Sequence, residues 1–264
     1  MRAEFREKYG PWAIVTGASS GIGDELARQL AAVKMNVVLV ARRRERLETL
    51  SAELTKAHGV ETRIVELDLG RLDACDTLVA ATKGLEIGLL VNNAGFGMKG
   101  EFVTLDRAEQ TRMIAVNCRA PLELTHAFLP SMIARKRGGV IVVASSAAFQ
   151  ALPITAAYSA TKAFETLFAE GLGEEMRPHG VDVLALCPGP TDTEGPRRTG
   201  VDPDKVPVKM MHPRDVAKAG LDALGRKAIE IPGFTNRLIY FLVKFLPRAF
   251  VTRMAGKLIR RVST

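Results

Sequence analysis

Cysteine is scarce in this sequence, and what there is follows no pattern. Cys75, Cys118 and Cys187 stand far apart in 264 residues. They offer neither a disulfide framework nor a paired metal spacing. That excludes a cystine-stapled secreted module and a zinc ribbon, and it points to a reducing compartment, the cytoplasm. No uncharged apolar run approaches the roughly 20 residues a bilayer-spanning helix needs. Residues 1–9 carry Arg2, Glu4, Arg6, Glu7 and Lys8 in place of an apolar segment, so a secretory signal is not expected. Repeats, low-complexity tracts and a composition break marking a second globular domain are also missing.

Acidic residues are missing from one region. After Glu230 there are seven basic residues, Arg237, Lys244, Arg248, Arg253, Lys257, Arg260 and Arg261, and no acids. The net charge is +8, and the other 30 basic residues against 29 acidic ones leave the rest of the chain at +1. Basicity is therefore a property of the tail. It lacks any nucleic-acid-reading motif, and nucleic acid is not expected as a partner.

What is present is ordinary for a globular chain, 47% hydrophobic and 25% charged, and long enough for one large α/β domain. Strand-like apolar runs recur over 12–16, 36–40, 62–67, 88–91, 140–144, 181–186 and 228–231. Helical patterns over 22–33, 43–57 and 157–177 separate them. This alternation predicts βαβ units and a doubly wound, mainly parallel sheet with helices on both faces. Val37-Val38-Leu39-Val40 shows no polar alternation, as befits a strand buried on both faces. The expected organisation is a catalytic domain over 1–232 and a basic amphipathic helical tail over 233–264.

Gly17, Gly21 and Gly23 fall between the first strand and the first helix. Glycines there let the backbone approach a pyrophosphate, and a helix N-terminus offers free N–H groups. The alternative is a glycine-rich turn without a ligand. At the end of the second strand an acid would bind a ribose 2′-hydroxyl, whereas arginine would pair with a 2′-phosphate. Here Arg42, Arg43 and Arg44 precede the first acid, Glu45. Three cations at a helix N-terminus oppose its dipole, so a nearby anion is implied. NADP is expected, with Arg42 the first choice of partner and Arg43 the second. Asp68-Leu69 ends the third strand, where Asp68 would either face an adenine or cap the next helix. Asn92-Asn93-Ala94-Gly95 ends the fourth, its small residues leaving room for a cofactor.

Tyr158 and Lys162 stand at i and i+4 on one helix, so both leave from one face. A tyrosine pKa of about 10 is too high for a base at neutral pH. An adjacent ammonium favours the phenolate and makes Tyr158 a proton acceptor from an alcohol or a donor to a carbonyl. Ser145 ends the fifth strand and would hydrogen-bond the substrate oxygen, with Ser146 as its competitor. Asn117 lies inside the helical pattern 113–124, where asparagine is unfavourable, which suggests a task such as holding a water behind Lys162.

In combination these motifs resemble the short-chain dehydrogenase/reductase family over roughly residues 10–231. The resemblance implies a Rossmann fold, a nicotinamide cofactor and hydride transfer to or from a carbonyl or alcohol. It assigns Gly17, Ser19, Ser20, Gly21, Ile22 and Gly23 to the cofactor's phosphates, Asp68 with Leu69 to the adenine, and Asn93, Ala94 and Gly95 to the cofactor floor. Asn117, Ser145, Tyr158 and Lys162 match the catalytic set, with Tyr158 and Lys162 also touching cofactor. The family's serine lies 13 residues before its tyrosine, which selects Ser145. Pro188-Gly189 matches the motif after the sixth strand, and Thr191 and Thr193 resemble residues holding the carboxamide and a phosphate. One departure is mild: the basic residue often found before the second motif glycine in NADP members is Ser20 here, which leaves the cofactor choice to Arg42 and its neighbours.

The segment 189–212 would close over substrate, with Val201, Val206, Val208, Met210 and Met211 and prolines at 196, 203 and 207. Phe96, Met98, Phe149, Leu152 and Ile154 flank other crevice motifs. These residues suggest an apolar small-molecule substrate, or else they are lid packing. Stretches 238–246 and 250–262 read as two helices split by Pro247, with Arg253, Lys257, Arg260 and Arg261 opposite Val251, Ala255, Leu258 and Val262. That pattern suits peripheral membrane contact, or packing on the body or another subunit. A homo-oligomer, dimer or tetramer, is expected. The competing functional class is a non-catalytic cofactor- or lipid-binding regulator on the same fold.

Overall fold

A computed structural model describes residues 2–195 and 209–261. The chain runs α1 (Arg2–Tyr9), β1 (Trp12–Thr16), α2 (Gly21–Ala32), β2 (Asn36–Ala41), α3 (Arg44–His58), β3 (Thr62–Glu66), α4 (Ala74–Ala81) and β4 (Ile87–Asn92). It continues through α5 (Arg107–Ile114), α6 (Ala120–Arg135), β5 (Gly138–Val143), α7 (Ala156–Met176), β6 (Val181–Leu186), α8 (Pro213–Ala223) and β7 (Ile229–Glu230). Two helices, α9 (Phe234–Val243) and α10 (Arg248–Arg261), follow. Among the described residues no helix is long and apolar enough to cross a membrane.

Among the described residues seven strands pair in parallel, in the order β3-β2-β1-β4-β5-β6-β7. Successive side chains leave opposite faces of a strand, and both faces here are covered. Ala13 and Val15 of β1 pack with Leu26, Leu50 and Val216 under α2, α3 and α8. Trp12 and Ile14 pack with Leu78, Leu124 and Ala169 under α4, α6 and α7. A strand buried twice needs apolar residues at consecutive positions, which is why these runs are continuous.

The helical pattern expected over 113–124 is not one regular helix. α5 passes through a π-helical turn, Ala115–Arg119, before α6 begins. The widened turn carries Asn117, which is fully buried. π-turns inside helices re-aim a side chain and concentrate at functional sites. The first tail helix begins at Phe234, four residues ahead of the expected start at Leu238. The valine at 262 lies outside the described residues.

Candidate active site

At β1 and β4 the winding reverses, so the loops after these strands diverge and leave a crevice above their C-terminal ends. The cavity there measures about 690 Å³. Its floor is stapled by one side chain. Thr16 Oγ1 donates to Val91 O at 3.1 Å and accepts from Asn93 N at 2.9 Å and Ala94 N at 3.0 Å. Asn93 Nδ2 donates back to Thr16 O at 2.8 Å. Thr16 opens the glycine motif in the sequence, but its stapling role depends on β4 lying beside β1 and has no local signal.

Two glycines of the turn are required by geometry. Gly17 has a left-handed φ of 68°, and a Cβ there would lie 2.8 Å from Asn93 Nδ2. A Cβ on Gly23 would lie 2.4 Å from Gly17 O, forcing α2 away from the turn. Ser20, the N-cap of α2, makes no side-chain capping bond. Its Oγ instead accepts from Arg43 Nη2 at 2.8 Å. The first turn of α2 thus keeps N–H groups without a side-chain acceptor beside Gly21 and Ile22 in the crevice wall. An uncapped helix N-terminus over a glycine turn fits a pyrophosphate.

The arginines behave differently from one another. Arg43 folds over the turn. It donates to Ser19 Oγ at 3.0 Å and forms an ion pair with Glu194 at 2.7 Å. Arg46 also pairs with Glu194, and Arg46 and Arg43 together hold that carboxyl far down, at about 2. Glu194 therefore supplies part of the anion that the basic run implied. Arg42 is exposed at the crevice edge and shows no hydrogen bond or ion pair to a described residue. Asp68 does not cap the next helix, whose N-cap is Asp73. Its Oδ1 accepts from Gly70 N at 2.9 Å, and its Oδ2 pairs with Arg112 at 2.9 Å. Burial opposes ionisation of Asp68, but the Gly70 N–H and the Arg112 guanidinium outweigh it and hold the carboxyl below its usual value. Arg112 also lies over the Phe96 ring, 5.4 Å from its centroid.

Tyr158, Lys162 and Ser145 all line the same cavity. Lys162 Nζ lies 5.9 Å from the Tyr158 ring centroid. Beside Gly97 that ring has no room to spare, since a Cβ on Gly97 would lie 3.0 Å from Tyr158 Cδ2. Lys162 is buried and donates to Val143 O at 3.0 Å and to both carboxylate oxygens of Glu165, at 3.1 and 2.8 Å. Glu165 was not singled out from sequence, although it stands one helical turn from Lys162. Burial opposes the charge on the lysine, but the Glu165 carboxylate and, less strongly, Tyr158 outweigh it and raise its pKa. Burial pushes the Glu165 carboxyl up to about 7, against the pull of Lys162.

Asn117 does not line the cavity. Its Oδ1 accepts from Phe96 N at 3.2 Å, and its Nδ2 donates to Phe96 O at 3.0 Å and Thr161 Oγ1 at 3.0 Å. It ties the loop after β4 to α7 directly, one residue before Lys162. Ser145 Oγ accepts from Ala147 N at 3.1 Å and so also starts the short turn Ser146–Phe149. Ser146 lines the cavity as well, and its N–H donates to Pro188 O at 2.8 Å.

The far wall comes from β6 onward. Pro188, Gly189, Thr191 and Thr193 line the cavity, and the Thr193 side chain lies against Gly21. A short bridge pairs Thr191 with Met211. Phe96, Met98, Phe149, Leu152 and Met210 line the crevice, whereas Met211 packs on Gly233. Val201, Val206, Val208 and the prolines at 196, 203 and 207 lie outside the described residues. The tail also reaches the crevice. Asn236 packs on Gly189, Tyr240 meets the Phe149 ring at a tilt of 51° with centroids 4.3 Å apart, and Val243 and Leu258 complete the wall. Lys99 is a cation in the wall that sequence reasoning missed. Its Nζ is buried without a partner among the described residues, and burial lowers its pKa.

A family model, short chain dehydrogenase, matches residues 11–202. A 7beta-hydroxysteroid dehydrogenase of Clostridium sardiniense is 36% identical over 233 residues, 88% of this chain and 89% of that protein. A very-long-chain 3-oxoacyl-CoA reductase of Anas platyrhynchos is 36% identical over 192 residues, 71% of this chain. The match spans 62% of that reductase's own length. A short-chain dehydrogenase from Sphingobium yanoikuyae, solved in complex with NADPH, superimposes with a TM-score of 0.81 at 30% identity, covering 91% of this chain and 97% of that one.

Proposed function

This chain belongs to the short chain dehydrogenase family, oxidoreductases that use a nicotinamide cofactor on CH–OH and C=O groups, and from that premise we propose that Tyr158 is its general acid and base and that its substrate is apolar. The observation that carries the proposal is convergence. Tyr158, Lys162 and Ser145 meet the uncapped N-terminus of α2 in one cavity at the strand reversal. When bound, the reduced cofactor supplies the hydride that the carbonyl carbon receives. The protein's part is the proton. Tyr158 donates its phenolic proton to the carbonyl oxygen, and Ser145 Oγ donates a hydrogen bond to the same oxygen as charge builds. The Lys162 ammonium stabilises the phenolate left behind. Asn117 acts by holding the loop that packs on the Tyr158 ring.

We read the cofactor as NADP. Arg42, which makes no hydrogen bond or ion pair with a described residue, is the first candidate for a 2′-phosphate, and Arg43 is the second, at the cost of its bond to Glu194. The cradle itself would be Gly17 to Gly23, with Asp68, Leu69, Asn93, Ala94, Gly95, Pro188, Gly189, Thr191 and Thr193 along the crevice. The substrate end offers mostly apolar side chains, Phe149, Leu152, Tyr240 and Val243 among them, and Lys99 as one charged contact. We place the enzyme in the cytoplasm as a homo-oligomer. Exposed Phe164 and Leu167 on α7 and Leu122 on α6 offer an apolar subunit contact. The test is turnover of bulky ketones with NADPH, followed by reduced-nicotinamide absorbance. No turnover across a panel that includes steroid and long-chain ketones would overturn the assignment.

A further inference from the structure

The first tail helix is apolar on its outer side as well as its inner one. Phe234, Leu238, Phe241 and Phe245 follow one another at spacings of four, three and four residues, which makes a single apolar stripe down α9 and its end. Such a stripe normally seeks a core. Here it points to solvent, with Phe234 77% and Phe245 69% exposed. The side turned to the body carries Asn236 and Tyr240, which pack on Gly189 and Phe149. α10 extends the surface. It buries Val251 and sets Gly256 against Pro153, leaving Phe250 and Met254 exposed. Contiguous exposed apolar surface rimmed by polar groups marks an interaction site.

The rim identifies the occupant. Arg237, Lys244, Arg248, Arg253 and Lys257 are exposed around these side chains, and no acid follows Glu230. Among the described residues of the tail only Arg260 finds a carboxylate, Glu101 at 3.9 Å. A second copy placed on this face by a two-fold axis would bring like charges together, because the same patch meets itself. An anionic phospholipid surface satisfies both features, headgroups meeting the cations and acyl chains meeting the phenyl rings. We infer that α9 and α10 dock this protein onto an anionic lipid surface. The side of the same helices that faces inward, Ile239, Tyr240, Val243 and Leu258, lines the crevice. Docking would then bring the crevice mouth to the bilayer from which an apolar substrate is drawn, a consequence that rests on the function proposed above.

The experiment is co-sedimentation of the full chain with phosphatidylcholine vesicles, with and without phosphatidylserine. Pelleting is expected with phosphatidylserine at low salt and release at high salt. Phe241→Ser with Phe245→Ser should lower partitioning at least tenfold. Arg237→Glu with Lys244→Glu should lower it roughly fivefold for each cation removed, or more. None of these side chains lines the crevice, so turnover of a water-soluble ketone without vesicles should stay at the wild-type level and separates this test from that of the chemistry. Absence of pelleting overturns the inference. So does equal pelleting with neutral vesicles at any salt, or a fall in oligomer mass in the phenylalanine variant, which would make the face a subunit contact.

Discussion

The buried pair behind the tyrosine allows a sharp test of how this site is held. Lys162 is 5% exposed and Glu165 2%, and both carboxylate oxygens lie within 3.1 Å of Nζ. Glu165→Leu removes one charge and leaves the other in the interior with Val143 O as its remaining acceptor. Breaking a buried pair this way costs about 3–5 kcal/mol. Against a total domain stability of roughly 5–15 kcal/mol, that is a large fraction. Lys162→Met should cost a similar amount, since it strands the carboxylate. The double replacement removes both charges and leaves apolar side chains of similar volume, so it should cost less than either single change. The assay is urea unfolding of all four proteins at a pH above 7, where the Glu165 carboxyl is ionised, followed by fluorescence of Trp12, the sole tryptophan and a buried one. Glu165→Gln supplies a milder member of the series should the leucine variant fail to fold. Additive costs, or a loss below about 0.5 kcal/mol for Glu165→Leu, would refute the claim that the two charges depend on each other.

Three further outcomes follow from the same geometry. Tyr158→Phe should abolish turnover while NADPH still binds by fluorescence titration; activity near the wild-type level would remove Tyr158 from the chemistry. Arg42→Ala should weaken NADPH binding by about 10- to 150-fold, the value of a charge-assisted bond, with little change for NADH. Equal losses would show that Arg42 does not read the phosphate. Glu165 holds its proton up to about 7 in the fold, against 4.5 as its ordinary value. Its contribution to stability is thus complete below pH 4.5 and is lost as pH rises through 7. Relative to Glu165→Gln, the wild type should lose up to roughly 3 kcal/mol across that window. A flat difference would mean that Lys162, not burial, governs the carboxyl.

Most of the sheet was legible because its signal is local. β1 and β6 match their expected bounds to the residue, since each is a continuous apolar run ended by a polar or turn-forming stretch. β5 begins two residues earlier than its apolar run, at Gly138-Gly139. Those glycines carry no strand propensity. Their backbones pair with Leu89 of β4 and with Val181 and Asp182 of β6, and the Tyr9 ring, 3.0 Å from where a Gly139 Cβ would be, leaves no room for a side chain there. That contact links positions 130 residues apart, and no local pattern records it. The π-helical turn at Asn117 was hidden for a related reason, because its extra residue is stabilised by what Asn117 ties together across the fold.

The site divides along the same line. Tyr158 and Lys162 were legible as neighbours on one helix face, whereas Ser145 was separated from Ser146 only by the family resemblance, and both serines line the cavity. Asp68 was legible as a position, but its partner Arg112 comes from α5 and was not. The basic run was read as needing an anion, and Glu194, which supplies part of it, stands 151 residues from Arg43. The tail shows the limit most clearly. Its amphipathic period was visible, and the natural inference is that an apolar stripe faces inward. For α10 the buried Val251 agrees with that. For α9 it fails, because the body offers Gly189 and Phe149 as neighbours. An asparagine and a tyrosine suit those better than a row of phenyl rings. Periodicity tells how wide a stripe is, but only the surface beneath a helix decides which way it turns, and here that surface turns the phenylalanines outward.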